Sequence, residues 1–233
     1  TITNETDFYQ FTATAGTRIF VDVQAASDPS NSTYRLIGPV GQQVFRATNG
    51  LSADQDVTTL PTAGTYTFLV EGARANTGPA DTYSINVRSV TDDPFTITEA
   101  QIDSGEVVIN SAIGAPGERD IYAFTLTAPK RLYFDSLTNL STVNWTLAGT
   151  SGTIVSARNF DGSDGNSLVG SANPVLALPI GDYTITIDAT IDNTPSYSFR
   201  LLNLDVFGTL LTPGTPSGST TVLNETDVYR FAA

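Results

Sequence analysis

The chain has 233 residues, a net charge of −13, and no histidine, cysteine or methionine. Without histidine or cysteine there is no Ser–His or Cys–His nucleophile, no imidazole base, no thiolate metal site and no disulfide framework. The acidic balance excludes a nucleic-acid surface, which needs a basic patch, and no apolar run approaches the roughly 20 residues that cross a bilayer.

Hydrophobic residues make up 40% of the chain, enough for packed cores, while charged residues are only 15%. Polarity comes instead from Thr, Ser, Asn and Gly, the habit of an extracellular β protein. The length suits two modules of roughly 100–120 residues each.

The first predicted element is Asn4-Glu5-Thr6-Asp7-Phe8-Tyr9-Gln10-Phe11, and its skeleton returns twice. Gly117-Glu118-Arg119-Asp120-Ile121-Tyr122-Ala123-Phe124 and Asn224-Glu225-Thr226-Asp227-Val228-Tyr229-Arg230-Phe231 repeat it, with the Asp residues 113 and 107 positions apart. Self-similarity at a long period marks a tandem array. The phase of the repeat reads as a stretch of a longer array.

Alternating runs follow in order: Ile19, Val21 and Val23; Tyr66, Phe68 and Val70; Tyr83, Ile85 and Val87; Leu132 and Phe134; Tyr183, Ile185 and Ile187. Period-two patterns rich in Thr, Val, Ile, Tyr and Phe predict strands. Gly and Pro punctuate them at about 8–12 residue intervals, the spacing of a sandwich or barrel. Helical periodicity is nearly absent.

The repeats also align block by block. Arg18 to Asp22 matches Arg131 to Asp135, Tyr34 matches Trp145, Leu60-Pro61 matches Leu178-Pro179, Gly64-Thr65-Tyr66 matches Gly181-Asp182-Tyr183, and Tyr83-Ser84-Ile85 matches Tyr197-Ser198-Phe199. Common order with drifting offsets means shared strands and loops of varying length. The expected fold class is all-β: two tandem antiparallel β-sandwich (jelly-roll-like) modules plus the first strands of a third. The expected division is 1–90, 91–205 and 206–233, with 91–116 as a leader into the second module and 206–223 as the same leader for the third. The first module is expected without such a leader.

These motifs resemble the bacterial pre-peptidase C-terminal domain, a small β-sandwich module of secreted proteases and large repeat-rich surface proteins. The likeness rests on Asp7/Tyr9/Phe11, on Leu60-Pro61-Thr62-Ala63-Gly64-Thr65-Tyr66 and on Tyr83-Ser84-Ile85, with their second copies at Asp120/Tyr122/Phe124, Leu178 to Tyr183 and Tyr197-Ser198-Phe199. It implies a secreted or surface-displayed, non-catalytic module. Related collagen-binding modules resemble calcium-dependent binders with ligands in the leader and beside the Asp-x-Tyr strand. The matching candidates here are Asp92, Asp93, Glu99 and Asp120.

From the residues themselves, calcium is the one cofactor with support, because it takes oxygen ligands alone. The recurring Asp7, Asp120 and Asp227 read first as side chains that fix the turn into their strand by a hydrogen bond, and second as metal ligands. Asp161 to Asn166 reads as a solvated hairpin loop, and Phe45 and Phe160 as weak candidates for exposed aromatics. Lys130, the only lysine, stands in a turn at 128–131 and would have to serve any Ser–Lys dyad.

The main functional expectation is a non-enzymatic structural or adhesive repeat of an extracellular protein, whose partners are neighbouring repeats or identical subunits. The alternatives are a calcium-assisted module that binds collagen or polysaccharide, and a subunit of a fibre assembled head-to-tail by strand donation. In the last reading the donated segment holds Val206, Phe207, Leu210, Leu211, Val222 and Leu223, an apolar stretch with no following strands to cover it.

Overall fold

The computed structural model describes residues 5–75, 78, 80–105, 107–164, 173–190, 193–212, 214 and 226–231. The chain forms two compact units, Thr1–Thr91 and Asp92–Ala233. Each is built almost wholly of strands.

Unit 1 contains β1 (Thr6–Ala13), β2 (Arg18–Ala26), β3 (Ser32–Ile37), β4 (Gln43–Arg46), β5 (Gln55–Thr59), β6 (Gly64–Gly72) and β7 (Tyr83–Val90). One sheet has the order β1-β6-β3-β4 and the other β5-β2-β7, all pairs antiparallel. Alternation sends Tyr34 and Leu36 of β3, and Tyr66, Phe68 and Val70 of β6, towards Ile19 and Val21 of β2. Each sheet buries one face against the other, which makes a β-sandwich.

Unit 2 opens with β8 (Asp93–Thr96), helix α1 (Glu99–Ser104) and β9 (Ile109–Ala112). Then come β10 (Arg119–Leu126), β11 (Lys130–Ser136), β12 (Val143–Gly149), β13 (Gly152–Asn159), β14 (Val175–Leu178), β15 (Gly181–Ala189) and β16 (Ser196–Asn203). Its sheets run β13-β12-β15-β10-β8 and β14-β11-β16-β9. This is the order of unit 1 with one strand added to one edge of each sheet, and both added strands come from the leader. Trp145 and Phe134 stack at 4.0 Å in the centre of this core, and both are fully buried. The short β17 (Thr209–Leu210) and β18 (Tyr229–Arg230) pair in parallel at the end of the chain.

The leader is therefore strand–helix–strand, in a chain whose sequence shows almost no helical periodicity. Thr98 and Gln101 form a reciprocal capping box that satisfies the first backbone N–H groups of α1, and Gly105 ends it in the left-handed conformation at φ 62°. Ile102 is the residue that the helix buries. Six residues make too short a helix for an apolar stripe to show.

Two motifs find the same use in both units. Phe11 faces Tyr66 across β1 and β6, and Phe124 faces Tyr183 across β10 and β15, each pair stacked, at 5.7 and 5.3 Å. The Leu-Pro…Gly-x-Tyr motif is a corner: Tyr66 donates to the Thr62 carbonyl at 2.6 Å and Tyr183 to the Pro179 carbonyl at 2.7 Å. The glycine starting each strand adopts positive φ, 145° at Gly64 and 152° at Gly181, where a Cβ is disfavoured.

The expected solvated hairpin at 161–166 begins differently. Phe160 starts a 3-10 turn (Phe160–Gly162) and is buried, and Ser163 accepts the indole N–H of Trp145 at 2.7 Å. Residues 165–172 lie outside the described residues. Phe160 is thus core, and Phe45 packs edge-on against Tyr34 at 6.3 Å. Lys130 begins β11 and pairs with Asp103 and Glu99.

Candidate metal centre at the second leader

The site begins with a strand pairing. β8 runs parallel to β10 in a register that sets Asp93 beside Asp120 and Phe95 beside Tyr122. Phe95 stacks on the Tyr122 ring at 4.8 Å, which fixes that register. Pro94 is tolerated because β8 is an edge strand.

Asp120 points inward, being the first residue of the alternating set Asp120, Tyr122, Phe124 and Leu126. It is fully buried. Its Oδ2 accepts from the hydroxyl of Tyr197, on the closing strand of the opposite sheet, and from Ser111 Oγ at 3.1 Å. Tyr122 and Tyr197 share a further hydrogen bond at 2.7 Å. Its Oδ1 is buried and has no protein partner. An ionised oxygen left so would cost several kcal/mol in an isolated pocket.

Two more carboxylates converge there. Glu118 is 8% exposed and accepts from the backbone N–H of Gly114 at 3.3 Å. One carboxylate oxygen from each of Asp93, Glu118 and Asp120 lies within 4.8 Å of the others. Burial raises the pKa of Asp120 above the ordinary carboxylate range, although its hydroxyl donors pull it back, and Asp93 and Asp92 add to the rise. Burial also raises Glu118, and the charges of Asp93 and Asp120 raise it further. The cluster holds more negative charge than its own hydrogen bonds neutralise.

The donor set fits calcium. Oxygens bound on opposite sides of one Ca²⁺ at about 2.4 Å are about 4.8 Å apart, and calcium prefers hard carboxylate oxygens. A chain without histidine or cysteine offers nothing to softer metals at such a site.

The four residues expected as ligands divide. Asp93 and Asp120 come together. Asp92 faces the other way along the strand and receives two bonds from Arg119, at 3.3 and 2.6 Å. That hydrogen bond raises the pKa of Arg119 and keeps it a cation. Glu99 lies on α1, where it accepts from Thr127 N at 3.1 Å and Thr127 Oγ1 at 2.7 Å and pairs with Lys130 at 3.2 Å. It ties the helix to the β10–β11 turn and is not part of the cluster. Glu118 was not among the expected ligands, although its place two residues before the repeated Asp marked it.

The Asp-x-Tyr motif is likewise not a turn device. In unit 1 Asp7 Oδ2 accepts from Tyr83, and the Tyr9 and Tyr83 hydroxyls lie 2.9 Å apart. The repeated Asp and Tyr thus clasp the repeated Tyr of the closing strand, joining the two sheets of each unit.

No protein-family model matches the chain, and no curated protein matches it. Solved structures offer distant likenesses. The CUB1-EGF-CUB2 domain of human MASP-1/3 shares 8% identity over 86% of this chain and 94% of that one, with a TM-score of 0.27. The same domains of rat MASP-1 share 7% over 86% and 92%, also at 0.27. The M60 catalytic domain with the CBM51-1 and CBM51-2 domains from Clostridium perfringens ZmpB shares 9% over 84% and 34%, at 0.26. TM-scores this low carry no argument. The site is read on its own geometry.

Of the apolar residues expected in strand donation, Val206 and Leu210 are 51% and 69% exposed, and Leu211 is half-buried. Phe207 lies over Gly105, where a Cβ would meet its ring at 2.3 Å. Val222 and Leu223 lie outside the described residues. No described helix is long and apolar enough to cross a membrane.

Proposed function

We propose that the chain is a non-catalytic stretch of extracellular β-sandwich repeats, in which the leader between two modules closes the second and a calcium ion fastens it. The carrying observation is that Asp93 of the leader and Asp120 of the sandwich stand side by side, with Glu118 beside them and the buried Oδ1 of Asp120 unpartnered. A cation there joins the connecting segment to the module body by charge as well as by strand pairing. Asp93, Glu118 and Asp120 hold the ion, and Tyr197 and Ser111 orient Asp120 from behind.

The role that follows is mechanical. A connection that is loose without calcium and fixed with it suits a scaffold, spacer or adhesive stalk outside the cell, where calcium is abundant. Absence of histidine and cysteine removes the usual nucleophile systems. The likeness of the motifs to pre-peptidase C-terminal modules supports the same setting.

Titration calorimetry and thermal unfolding of the full chain, in calcium and in EDTA, test the proposal. Heat of binding is expected with calcium, with a higher unfolding midpoint for unit 2, and Asp120→Asn removes both. A chain that shows neither heat nor shift has no calcium clasp.

A further inference from the structure

Three of the arginines of unit 1 meet in one place. Arg35 of β3, Arg46 of β4 and Arg74, just beyond β6, line a cavity of about 760 Å³ in which Glu71 is the one carboxylate among the described residues. Tyr34 and Val70 point into the core, so by alternation Thr33, Arg35 and Glu71 point to the outer face of their sheet. Every lining residue lies between Ser30 and Arg74, inside the unit, and none belongs to β1 or β7.

The walls of the cavity are tied to one another. Ala73 N–H donates to the Asn31 carbonyl at 2.6 Å, and Leu51 N–H to the Pro29 carbonyl at 2.9 Å. Gly50 adopts φ 62°, and a Cβ there would meet the Pro29 and Ser32 carbonyl oxygens at 2.4 and 2.6 Å. Only glycine lets these loops come so close.

Its charges are unbalanced. Arg35 gives Nε to Glu71 at 2.5 Å and Nη1 to Gln43 at 3.3 Å, which leaves Nη2 without a described partner. Arg46 and Arg74 are exposed and pair with no carboxylate among the described residues. Asp28 accepts from Ser30 and Asn31, and Asp81 from Ser32, and neither acid lines the cavity. Three guanidinium groups against one carboxylate make this lining cationic in a chain of net charge −13. Thr33 adds a hydroxyl whose Oγ1 is buried without a partner among the described residues, which costs free energy until something supplies one.

The sandwich itself does not require these cations. With Tyr34 matched to Trp145, the positions of Thr33, Arg35 and Arg46 fall on Asn144, Thr146 and Ala157. Unit 2 keeps the same strand order and packs without them.

We infer that this cavity of unit 1 binds an acidic saccharide, with its carboxylate or sulfate held by Arg35, Arg46 and Arg74 and a ring hydroxyl held by Thr33. A guanidinium meets either oxyanion with two parallel N–H donors. The volume falls in the range of about 300–1,000 Å³ typical of small-molecule sites and exceeds what a bare ion needs. No aromatic or large aliphatic side chain lines it, which disfavours a lipid tail or a stacked base, while its hydroxyls and the Asn31 amide suit a hydroxyl-rich ring. The choice of a saccharide rests on the extracellular reading proposed above. The cavity belongs to unit 1 and the calcium cluster to unit 2, so binding measured in EDTA tests this inference apart from the clasp.

Titration calorimetry of the full chain in EDTA, at one fixed ionic strength, uses three oligosaccharides of equal length: one of uronic acids, one sulfated and free of uronate, and one neutral. Heat is expected with an acidic probe and not with the neutral one, and the tighter acidic probe names the oxyanion. Arg46→Gln/Arg74→Gln is expected to weaken binding about tenfold or more. Thr33→Val, which keeps every charge, is expected to weaken it several-fold. Arg131→Gln/Arg230→Gln removes the same charge from unit 2 and is expected to bind as the unmodified chain does. Unfolding midpoints of unit 1 check that the variants fold. Equal binding of the neutral probe overturns the inference, as do equal losses in the two double variants or no heat with either acidic probe.

Discussion

Tyr197 donates its hydroxyl to Asp120 from 77 residues further along the chain, and so ties the closing strand of one sheet to the Asp-x-Tyr strand of the other. The pair Tyr83 and Asp7 does the same in unit 1, across 76 residues. Burial and the neighbouring carboxylate push both tyrosine pKa values far above the ordinary phenol range, so each hydroxyl keeps its proton to donate. The difference is burial: Asp120 is fully buried, while Asp7 is only partly so.

Tyr197→Phe is therefore expected to destabilise unit 2 by about 1–3 kcal/mol, the cost of leaving a buried charged acceptor short of a donor. Tyr83→Phe is expected to cost unit 1 less, because water can replace the lost hydroxyl at Asp7. Denaturant titrations that follow each unit separately decide it. Equal losses would show that burial of the aspartate does not set the strength of the clasp.

Calcium binding should separate Asp120 from Asp92, though both are carboxylates in the same region. Asp120→Asn removes the ligand and with it the calcium response, whatever it costs the hydrogen bonds from Tyr197 and Ser111 in EDTA. Asp92→Asn breaks the pair with Arg119 and keeps the calcium response. Midpoint shifts measured with and without calcium check this. A chain whose response survives Asp120→Asn does not bind calcium at this cluster.

The leader makes its largest energetic difference at the repeated aromatics. Tyr122→Ala or Phe124→Ala should cost unit 2 about 3–5 kcal/mol, as for large buried rings. Tyr9→Ala, at a position more than half exposed, should cost unit 1 about 1 kcal/mol. Parallel unfolding curves test the contrast, and a loss below about 1 kcal/mol at Tyr122 would mean that the leader does not cover it in solution.

Acid should loosen α1 through Asp103 and Glu99. Lys130, together with Asn203, holds Asp103 below the ordinary carboxylate range. Hydrogen bonds from Thr127, aided by Lys130, lower Glu99 as well. A folded-state pKa below the unfolded one contributes stability above the unfolded value of about 4, and that contribution disappears as pH falls through the folded one. Lys130→Met is expected to flatten this acid limb of the stability curve. An unchanged acid limb would show that the pair is fully solvated and contributes nothing.

The repeat, the strand order within it and the inward residues of most strands are legible in the order of the residues. A strand's two faces are written in adjacent positions: Tyr66, Phe68 and Val70 alternate with polar neighbours, and Tyr183, Ile185 and Ile187 do so again. Two copies of one pattern, in one order, specify two copies of one sandwich. The corner tyrosines and the Asp-x-Tyr strands were legible for the same reason, although the partner of the aspartate was not.

Which acids meet depends on how the strands pair in the folded chain. The parallel register of β8 on β10 puts Asp93 beside Asp120 and turns Asp92, one residue earlier, to Arg119. A shift of one residue exchanges the faces of a strand, and nothing in the local pattern of a four-residue edge strand sets that register. The leader's helix sends Glu99 to Lys130 and away from the cluster, while the turn after β9 brings in Glu118.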